Sequence, residues 1–316
     1  GANTIKRDMP IMCVIGNPPY LGEGGVSEGW IGNLMDDYKK EPGGVEKLKE
    51  RNPKWLNDLY VKFIRMSSHL IEKNGEGVLG FITIHGYLDN PTFRGMRWHL
   101  LKTFDKIYVL DLHGNSKKKE VTPEGKPDKN VFDIQQGVSI IIGVKKKDGG
   151  EGLAEVFHGD LWGDRKGKYA ALEGGTIASL LNKISPSAPQ HVFVPRNETL
   201  LAQYTKGFRV NEFFGEHTIG VVTSRDSLVT DESRTVLSER MQQALNPDVS
   251  VEVFLRNSSL TALKNIDLNH VRREHKFDVN QIKPFAYRPF DHRFVYFSDN
   301  LIERSRRKTM MHLDEK

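Results

Sequence analysis

Five consecutive apolar residues at positions 11–15 follow a mostly polar start of the chain. A short apolar run without alternation predicts a strand that is buried on both faces. Pro18 and Pro19 fix φ and remove two backbone donors, so the strand must end in a rigid turn. That turn presents the amide of Asn17, the carbonyl of Pro18 and the ring of Tyr20.

Apolar residues then recur every three or four positions over 54–74, which predicts a helix with one buried face and an end at Gly75. Asn90-Pro91, a cap followed by a proline in the first turn, begins a second helix. The inward positions of the two helices are Trp55, Leu59, Phe63, Met66 and Leu70, then Phe93, Met96, Leu100 and Leu101. Further apolar runs predict strands at 78–84, 106–112 and 137–144.

This alternation of strands and helices predicts an α/β fold with a parallel, doubly wound sheet. Ligands of such sheets bind beyond the carboxyl ends of the strands, which is where Asn17 lies.

Two connecting segments are long enough to carry function. The glycine-rich segment 21–53 is either a lid with Trp30 and Tyr38 as stacking groups or an unstructured insertion. The segment 113–136 is either a solvated hairpin or a phosphate-binding loop, because it contains five lysines, Lys117, Lys118, Lys119, Lys126 and Lys129.

The composition changes to Lys, Asp and Gly near residue 149, where we place a domain boundary. The second half shows short helical patterns and brief β-like runs, which indicate an α+β domain. The helices are expected at 176–184, 196–206 and 234–245, and the β-like runs near 191–194 and 219–222.

Basic and aromatic residues are interleaved over 283–308, where seven basic residues face three acidic ones, a net charge of +4. This mixture suits a nucleic-acid surface. It also suits an ordinary strand pair whose aromatic residues face a core, which is the default expectation at 294–297.

The 316 residues suffice for two domains, and the net charge of +5 with a pI near 9.0 favours an anionic partner slightly. Cys13 has no partner for a disulfide, and the sequence shows neither a signal peptide nor an apolar run of membrane length. We therefore expect a cytoplasmic protein. No metal site is expected.

Asn17-Pro18-Pro19-Tyr20 resembles the catalytic motif of the adenine-N6 DNA methyltransferases. The resemblance implies that Asn17 and the Pro18 carbonyl accept hydrogen bonds from the target amine, while Tyr20 stacks on a base flipped out of the duplex. Asn130 to Ser139 resembles the late motif of the same family, which makes Phe132 the candidate for the second stacking contact.

The likeness extends to the Type ISP group of single-chain restriction-modification enzymes. Three segments resemble its methyltransferase region, at 57–63, 77–83 and 93–97, and three resemble its C-terminal specificity domain, at 220–226, 287–293 and 304–313. DNA is the implied partner, with the contacts assigned to Lys117, Lys118, Lys119, Arg225, Arg288, Arg293, Arg304, Arg306 and Arg307. Structural Arg225–Asp226 and Arg288–Asp291 ion pairs are the alternative for two of these positions.

One part of the family pattern has no counterpart in the sequence. The family binds S-adenosylmethionine through a Gly-rich turn and an acidic residue that should precede Asn17, and the nuclease and ATPase motifs are absent as well. We therefore expect the C-terminal piece of a longer enzyme that is inactive alone. Residues 1–149 would be half of the Rossmann-like class I methyltransferase domain, and residues 150–316 the target recognition domain. The strand at 11–15 would then be an apolar sheet edge that is prone to self-association.

Two alternatives stay open at this point. The chain is a DNA-recognition module without catalysis, or it resembles enzymes that methylate a protein glutamine with the same four-residue motif. The long second half, which those enzymes lack, argues against the latter.

Overall fold

The computed structural model describes residues 9–20, 29–216, 218–260, 263, 265–308 and 310. The chain divides into two compact units, Gly1–Leu201 and Ala202–Lys316, and each is described by itself. No helix within the described ranges is long and apolar enough to cross a membrane.

The first unit is a mixed α/β unit whose strands are β1 (Cys13–Gly16), β2 (Gly77–Ile84), β3 (Lys106–Asp111), β4 (Val138–Lys145), β5 (Glu155–Asp160) and β6 (Asn182–Ile184). Its helices are α1 (Gly29–Met35), α2 (Leu59–Asn74), α3 (Arg94–Thr103), α4 (Arg165–Gly174) and α5 (Ile177–Leu180), and α6 (Glu198–Tyr204) crosses the division. The predicted strands at 78–84, 106–112 and 137–144 are confirmed, as are the first two predicted helices.

The six strands form one sheet in the order β1-β2-β4-β3-β5-β6. β1 and β2 are parallel, as are β3 and β5, whereas β4 is antiparallel to both of its neighbours. The prediction of a wholly parallel sheet is therefore wrong. The link between β3 and β4 contains a single 3-10 turn, Ser116–Lys118, and without a crossover helix the chain must return antiparallel.

In this topology, several strands terminate at the same end of the sheet. The carboxyl ends of β1, β2, β3 and β5 and the amino end of β4 meet there. The segments at that end of the sheet contain Asn17–Tyr20, His85, His113 and Phe132. The topology thus places the Asn17–Tyr20 motif and the segment that contains Phe132 at the same end of the sheet.

Strand β1 is the edge of the sheet, since β2 is its one partner among the described residues. Met12 and Ile15 are 51% and 80% exposed, and Cys13 is exposed too. The prediction that this strand is buried on both faces is therefore wrong. Its apolar composition is instead that of a sheet edge open to solvent.

Helix α2 buries a different face from the predicted one. Trp55 and Phe63 are exposed, while Tyr60, Val61, Ile64 and Ile71 are buried against the sheet. Two apolar stripes with helical spacing run along this segment, and periodicity alone does not tell which one packs on β2. Gly75 ends the helix with φ of +88°, as predicted.

Residues 29–53, the described part of the segment after the first turn, are more ordered than either prediction for them. Residues 21–28 of the predicted loop lie outside the described residues, but Met35, Tyr38 and Leu48 are buried in the core. Tyr38 is fully buried and cannot stack on a ligand, so that part of the lid prediction is wrong. Trp30, which is 60% exposed, stays a candidate.

The composition change near residue 149 marks a surface connection within one sheet. β5 lies beyond it and pairs in parallel with β3 over its full length, so the compact unit continues to Leu201. The predicted assignment of functions to residues 1–149 and 150–316 stays a prediction.

The second unit contains a three-stranded antiparallel sheet in the order β7-β9-β8, with β7 (Thr230–Asp231), β8 (Ile282–Arg288) and β9 (Asp291–Tyr296). Its helices are α7 (Val210–Phe213), α8 (Asp226–Val229), α9 (Arg234–Leu245), α10 (Val251–Asn257) and α11 (Leu268–Glu274). Helix α9 has the predicted bounds. The strand pair expected at the carboxyl end is also confirmed, since Val295, Tyr296 and Phe297 are buried in the core.

Candidate functional site

The turn after β1 holds the first group of candidate residues. Asn17 is exposed, Pro18 is buried, and the half-buried ring of Tyr20 packs against the main core of the first unit. The Tyr20 hydroxyl has two acceptors in reach, the Asn17 side-chain oxygen and, at 3.0 Å, the backbone carbonyl of Ile82 in β2. Burial raises the pKa of Tyr20 to about 12, so its hydroxyl stays protonated at neutral pH.

These contacts define what the turn can do chemically. The Asn17 oxygen is an acceptor at the surface, and the tyrosine hydroxyl now bonded to it can turn to Ile82 instead. The turn can therefore receive a planar group with N–H donors next to an anchored aromatic ring.

The second candidate, Phe132, lies in a loop fixed by a buried asparagine. Asn130 Nδ2 donates to the carbonyls of Gly114 and Gln136, at 3.2 and 2.7 Å, and its oxygen accepts from the Phe132 amide at 2.8 Å. Phe132 is half-buried against a small core cluster. It also lines an open pocket of about 810 Å³ together with Lys129, Arg165 and other polar residues.

Lys168 of α4 anchors the start of this loop. Its ammonium group is fully buried and lies 2.9 Å from the Asp128 carboxylate, which is also buried. It donates besides to the carbonyls of Leu112 and Lys129, at 2.7 and 2.6 Å. Sequence reasoning missed this lysine, because nothing in the pattern distinguishes it from the chain's many solvated lysines.

The lysines of the same loop behave differently, since Lys117, Lys118 and Lys119 are all exposed on the 3-10 turn and beside it. Exposure agrees equally with a solvated hairpin and with phosphate contact, so their role in DNA binding stays a prediction.

A cluster of histidines and carboxylates lies at the ends of β2, β3 and β5. His85 Nδ1 is 3.0 Å from Asp111 Oδ1, and His113 Nε2 is 2.8 Å from Asp160 Oδ1. His158 Nε2 approaches the same Asp160 oxygen at 3.2 Å. The sequence did not reveal this cluster, because its members are scattered over 75 positions and only the sheet assembles them.

Electrostatics make His113 a cation in this cluster. Burial lowers the pKa of His113, but the carboxylates of Asp160, Glu120 and Asp111 outweigh that effect and raise it to about 9. The pKa of Asp160 falls below its usual range, because hydrogen bonds from His113 and His158 outweigh the opposing effect of its own burial.

His85, Asp111 and His113 each offer a ligand atom within 4.8 Å of the others. His85 and His113 are each hydrogen-bonded to a carboxylate, and the positive charge on His113 disfavours a nearby cation, so we assign no metal to this group.

The charge on His113 leads to a prediction about pH. The folded-state pKa of about 9 exceeds the ordinary value of 6.5, so the ion pair stabilises the fold fully below pH 6.5 and loses this effect as the pH rises through 9. Thermal unfolding midpoints should fall between about pH 7 and 9.5, and should fall less in His113→Asn. Asparagine tolerates the positive φ of +51° at this position. An equally steep decline in the variant would contradict the assignment.

In the second unit, the predicted arginines mostly make intramolecular contacts. Arg225 donates to the carbonyls of Leu301 and Asn265, at 3.0 and 2.7 Å. Arg293 pairs with Asp291 at 2.9 Å and lies 4.1 Å from the centre of the Tyr287 ring. The Asp291 side chain is thus paired with Arg293, where Arg288 was the expected partner.

The other predicted DNA contacts lie around the same unit. Arg288 is exposed and stacks 5.1 Å from the centre of the Tyr287 ring, and Arg307 pairs with Asp299 at 2.5 Å. Arg304 is exposed beside Glu303, and Arg306 is half-buried. Arg225, Tyr287 and Arg288 line an open pocket of about 630 Å³. Residues 309 and 311–313 of the last matching segment lie outside the described residues.

The binding motif for S-adenosylmethionine that the sequence comparison expects before Asn17 can be checked in the described residues. A cofactor of this kind needs backbone that approaches closely at a glycine turn and a carboxylate for its ribose. The family pattern places both features before Asn17, and the described residues 9–16 contain neither a G-x-G sequence nor an acidic residue. On the side of β1 where such a strand would pair, the described residues offer no partner.

Comparison with known families defines the class of this protein. Residues 3–117 match the family model of the Eco57I restriction-modification methylase, and residues 212–316 match that of the Type ISP C-terminal specificity domain. One polypeptide thus carries a region similar to a restriction-modification methylase and a region similar to a Type ISP specificity domain. The two matches confirm the resemblance to the C-terminal region of the Type ISP restriction-modification enzymes that the motifs indicated.

Solved structures show the same fold at 22% sequence identity. The Type ISP restriction-modification enzyme LlaBIII bound to DNA superposes with a TM-score of 0.60 over 96% of this chain. The DrdV–DNA complex and a nuclease-deletion mutant of the Type ISP enzyme LlaGI, in complex with a DNA substrate mimic, each give 0.58, over 96% and 97%. The chain spans 21%, 32% and 27% of those three chains, in that order. Comparison with curated proteins gives no match.

Proposed function

We propose that this chain supplies the base-binding half of a DNA methyltransferase that modifies adenine at N6. The observation that carries the proposal is the turn after β1, where an exposed amide oxygen adjoins an anchored aromatic ring. An exocyclic amine brings two N–H donors and a planar ring, and the turn offers two acceptors and a surface for stacking.

The chemistry at this turn is orientation and electrostatic stabilisation. The Asn17 oxygen and the Pro18 carbonyl would accept the two amine hydrogens and hold the nitrogen lone pair in one direction. The same dipoles would stabilise the positive charge that develops on the nitrogen. Stacking of the flipped base on Tyr20 and Phe132 would offset the cost of extruding it from the duplex. That cost is about a few kcal/mol.

The methyl donor implied by the methylase family is S-adenosylmethionine. Because residues 9–16 contain none of the motif expected before Asn17, we propose that other parts of the enzyme bind this cofactor. We also propose that further strands of the methyltransferase sheet pair with the exposed edge of β1. Self-association through that edge in their absence stays a prediction.

The second unit is proposed to select the DNA sequence. Arg288 is the best placed of the predicted contacts, since its side chain is exposed beside a pocket, where a groove or a phosphate could approach it. Arg225 and Arg293 hold the unit together through the contacts described above, and we propose that they position the surface.

A second candidate function is DNA recognition without catalysis by this chain taken alone. The observation in its favour is that the cofactor motif expected before Asn17 is missing from the described residues 9–16. The two proposals agree on the base pocket and the DNA surface, and they differ in whether methyl transfer needs further polypeptide.

Tyr20 tests the base pocket directly. Tyr20→Phe should bind nearly as well as the wild type because the ring remains, whereas Tyr20→Ala should lose stacking worth about 1–3 kcal/mol, or roughly 5- to 150-fold in affinity. The measurement is the affinity and fluorescence of a duplex with 2-aminopurine at a mismatch, where flipping is easiest. Equal binding by Tyr20→Ala and Tyr20→Phe would refute the stacking role.

A further inference from the structure

The turn that joins β8 to β9 contains an apolar residue in an unusual place. Arg288 lies opposite Asp291 in the register of the two strands, so Pro289 and Phe290 form the turn. The Phe290 side chain is 102% exposed, and φ at this residue is +67°. A proline followed by a residue with positive φ is the arrangement of a type II turn, whose third position normally holds glycine.

A phenylalanine at this position carries two costs that glycine would avoid. The ring contributes nothing to a core, and the backbone is held in a region that residues with a Cβ rarely adopt. Both costs fall on one residue at the tip of a hairpin. Such a combination points to a function outside the unit's own stability.

The hairpin holds this ring on a rigid support. Val295 and Tyr296, at the far end of β9, are fully buried in the core of the second unit. Nearer the tip, Arg293 is fixed between the Asp291 carboxylate and the Tyr287 ring. Phe290 is thus the end of a stiff projection.

The neighbours of Phe290 indicate the chemistry of its partner. Arg288 and His292, on either side of the turn, are exposed. A cation next to a bare aromatic ring suits a surface that alternates phosphates with stacked bases. An apolar protein groove would fit poorly, because it would have to bury the Arg288 charge without a partner.

We propose that Phe290 is a wedge that inserts between stacked base pairs of duplex DNA, while Arg288 contacts the adjacent phosphate. The inference rests on the proposed function of the second unit as a DNA-binding domain. Insertion unstacks one base-pair step and bends the duplex, which lowers the cost of extruding a neighbouring base.

The test uses the full chain and two duplexes that differ by one central mismatch. Unstacking costs less at the mismatch, so the wild type should bind the mismatched duplex more tightly in fluorescence anisotropy. Phe290→Ala should lose about 5- to 150-fold in affinity for that duplex, the range expected for one stacking contact. Phe290→Trp should retain the preference. Phe208→Ala, at another exposed phenylalanine of the same unit, serves as the matched control and should change nothing.

Phe290→Gly separates the wedge from a structural role. It should raise the midpoint of thermal unfolding, because strain is relieved, and it should lose the preference for the mismatch. If Phe290→Ala binds both duplexes as the wild type does, the wedge is wrong while DNA binding stands. If the wild type binds neither duplex, the proposed function fails as well. A lower unfolding midpoint in Phe290→Gly would show that the ring packs against protein, which also overturns the wedge.

Discussion

Asn17→Ala in the enzyme that carries this chain should lower the rate of DNA methylation by at least about 10²-fold, while DNA affinity stays within a few-fold of wild type. The substitution removes one of two acceptors that orient the amine and stabilise its developing charge, and the loss of one such group typically costs 10²- to 10³-fold. The turn itself should survive, since the Tyr20 hydroxyl retains the Ile82 carbonyl as an acceptor at 3.0 Å. Transfer of labelled methyl groups and anisotropy on the same DNA measure the two effects.

Asn17→Asp is the matched control for this prediction. Aspartate preserves the acceptor oxygen and the size of the side chain, so it should retain more activity than alanine. Wild-type methylation in Asn17→Ala would refute the assignment of the amine site. A parallel loss of DNA binding would mean that Asn17 acts on the fold or on the DNA backbone.

Arg97→Met should be the most destabilising single change in the first unit, by about 3–5 kcal/mol. The Arg97 side chain is fully buried, and its guanidinium donates to three backbone carbonyls, those of Tyr87, Asn90 and Gln190. Methionine fills a similar volume but removes the donors from one buried and two partly buried carbonyls, and a fully buried acceptor left without a donor costs about 1–3 kcal/mol before relaxation. Burial lowers the pKa of Arg97 to about 9, so the side chain still carries its charge at neutral pH.

Thermal unfolding of the full chain measures this effect as a fall in the midpoint on the order of 10 °C. Arg51→Met, at an exposed arginine of the same unit, is the control and should leave the midpoint unchanged. Arg97→Lys should lie between the two, since lysine retains the charge but has fewer donors and lacks the planar fork. An unchanged midpoint in Arg97→Met would show that water replaces the guanidinium at no cost.

The part of the fold that sequence could predict was local. Uninterrupted apolar runs predicted β2, β3 and β4. Gly75 marked the end of the first predicted helix, and Asn90-Pro91 marked the beginning of the second. The four-residue motif marked the turn after β1 because its chemistry is contiguous in the chain. These features depend on neighbours within a few positions, which is the range over which pattern is informative.

The features that were missed depend on contacts between distant residues. β4 runs antiparallel because the 112–137 connection contains a 3-10 turn and no crossover helix. Tyr38 is buried because ion pairs such as Arg65–Asp37 fix its segment to α2. His113 and Asp160 meet only because β3 and β5 are parallel neighbours. Lys168 is buried against a loop 40 residues away. Periodicity carries no information on such pairings.

We propose that this chain binds the amine of the target adenine in a DNA methyltransferase, and mapping of modified bases tests this proposal most directly. The enzyme that carries the chain would be expressed in cells free of other DNA methylation, and every modified base in a plasmid would be located by sequencing. Because all bases of the plasmid are read, the measurement works for any recognition sequence. Our account predicts N6-methyladenine in one sequence context, absent when Asn17 is alanine. Unmodified DNA, or methylation of cytosine carbon, would contradict it.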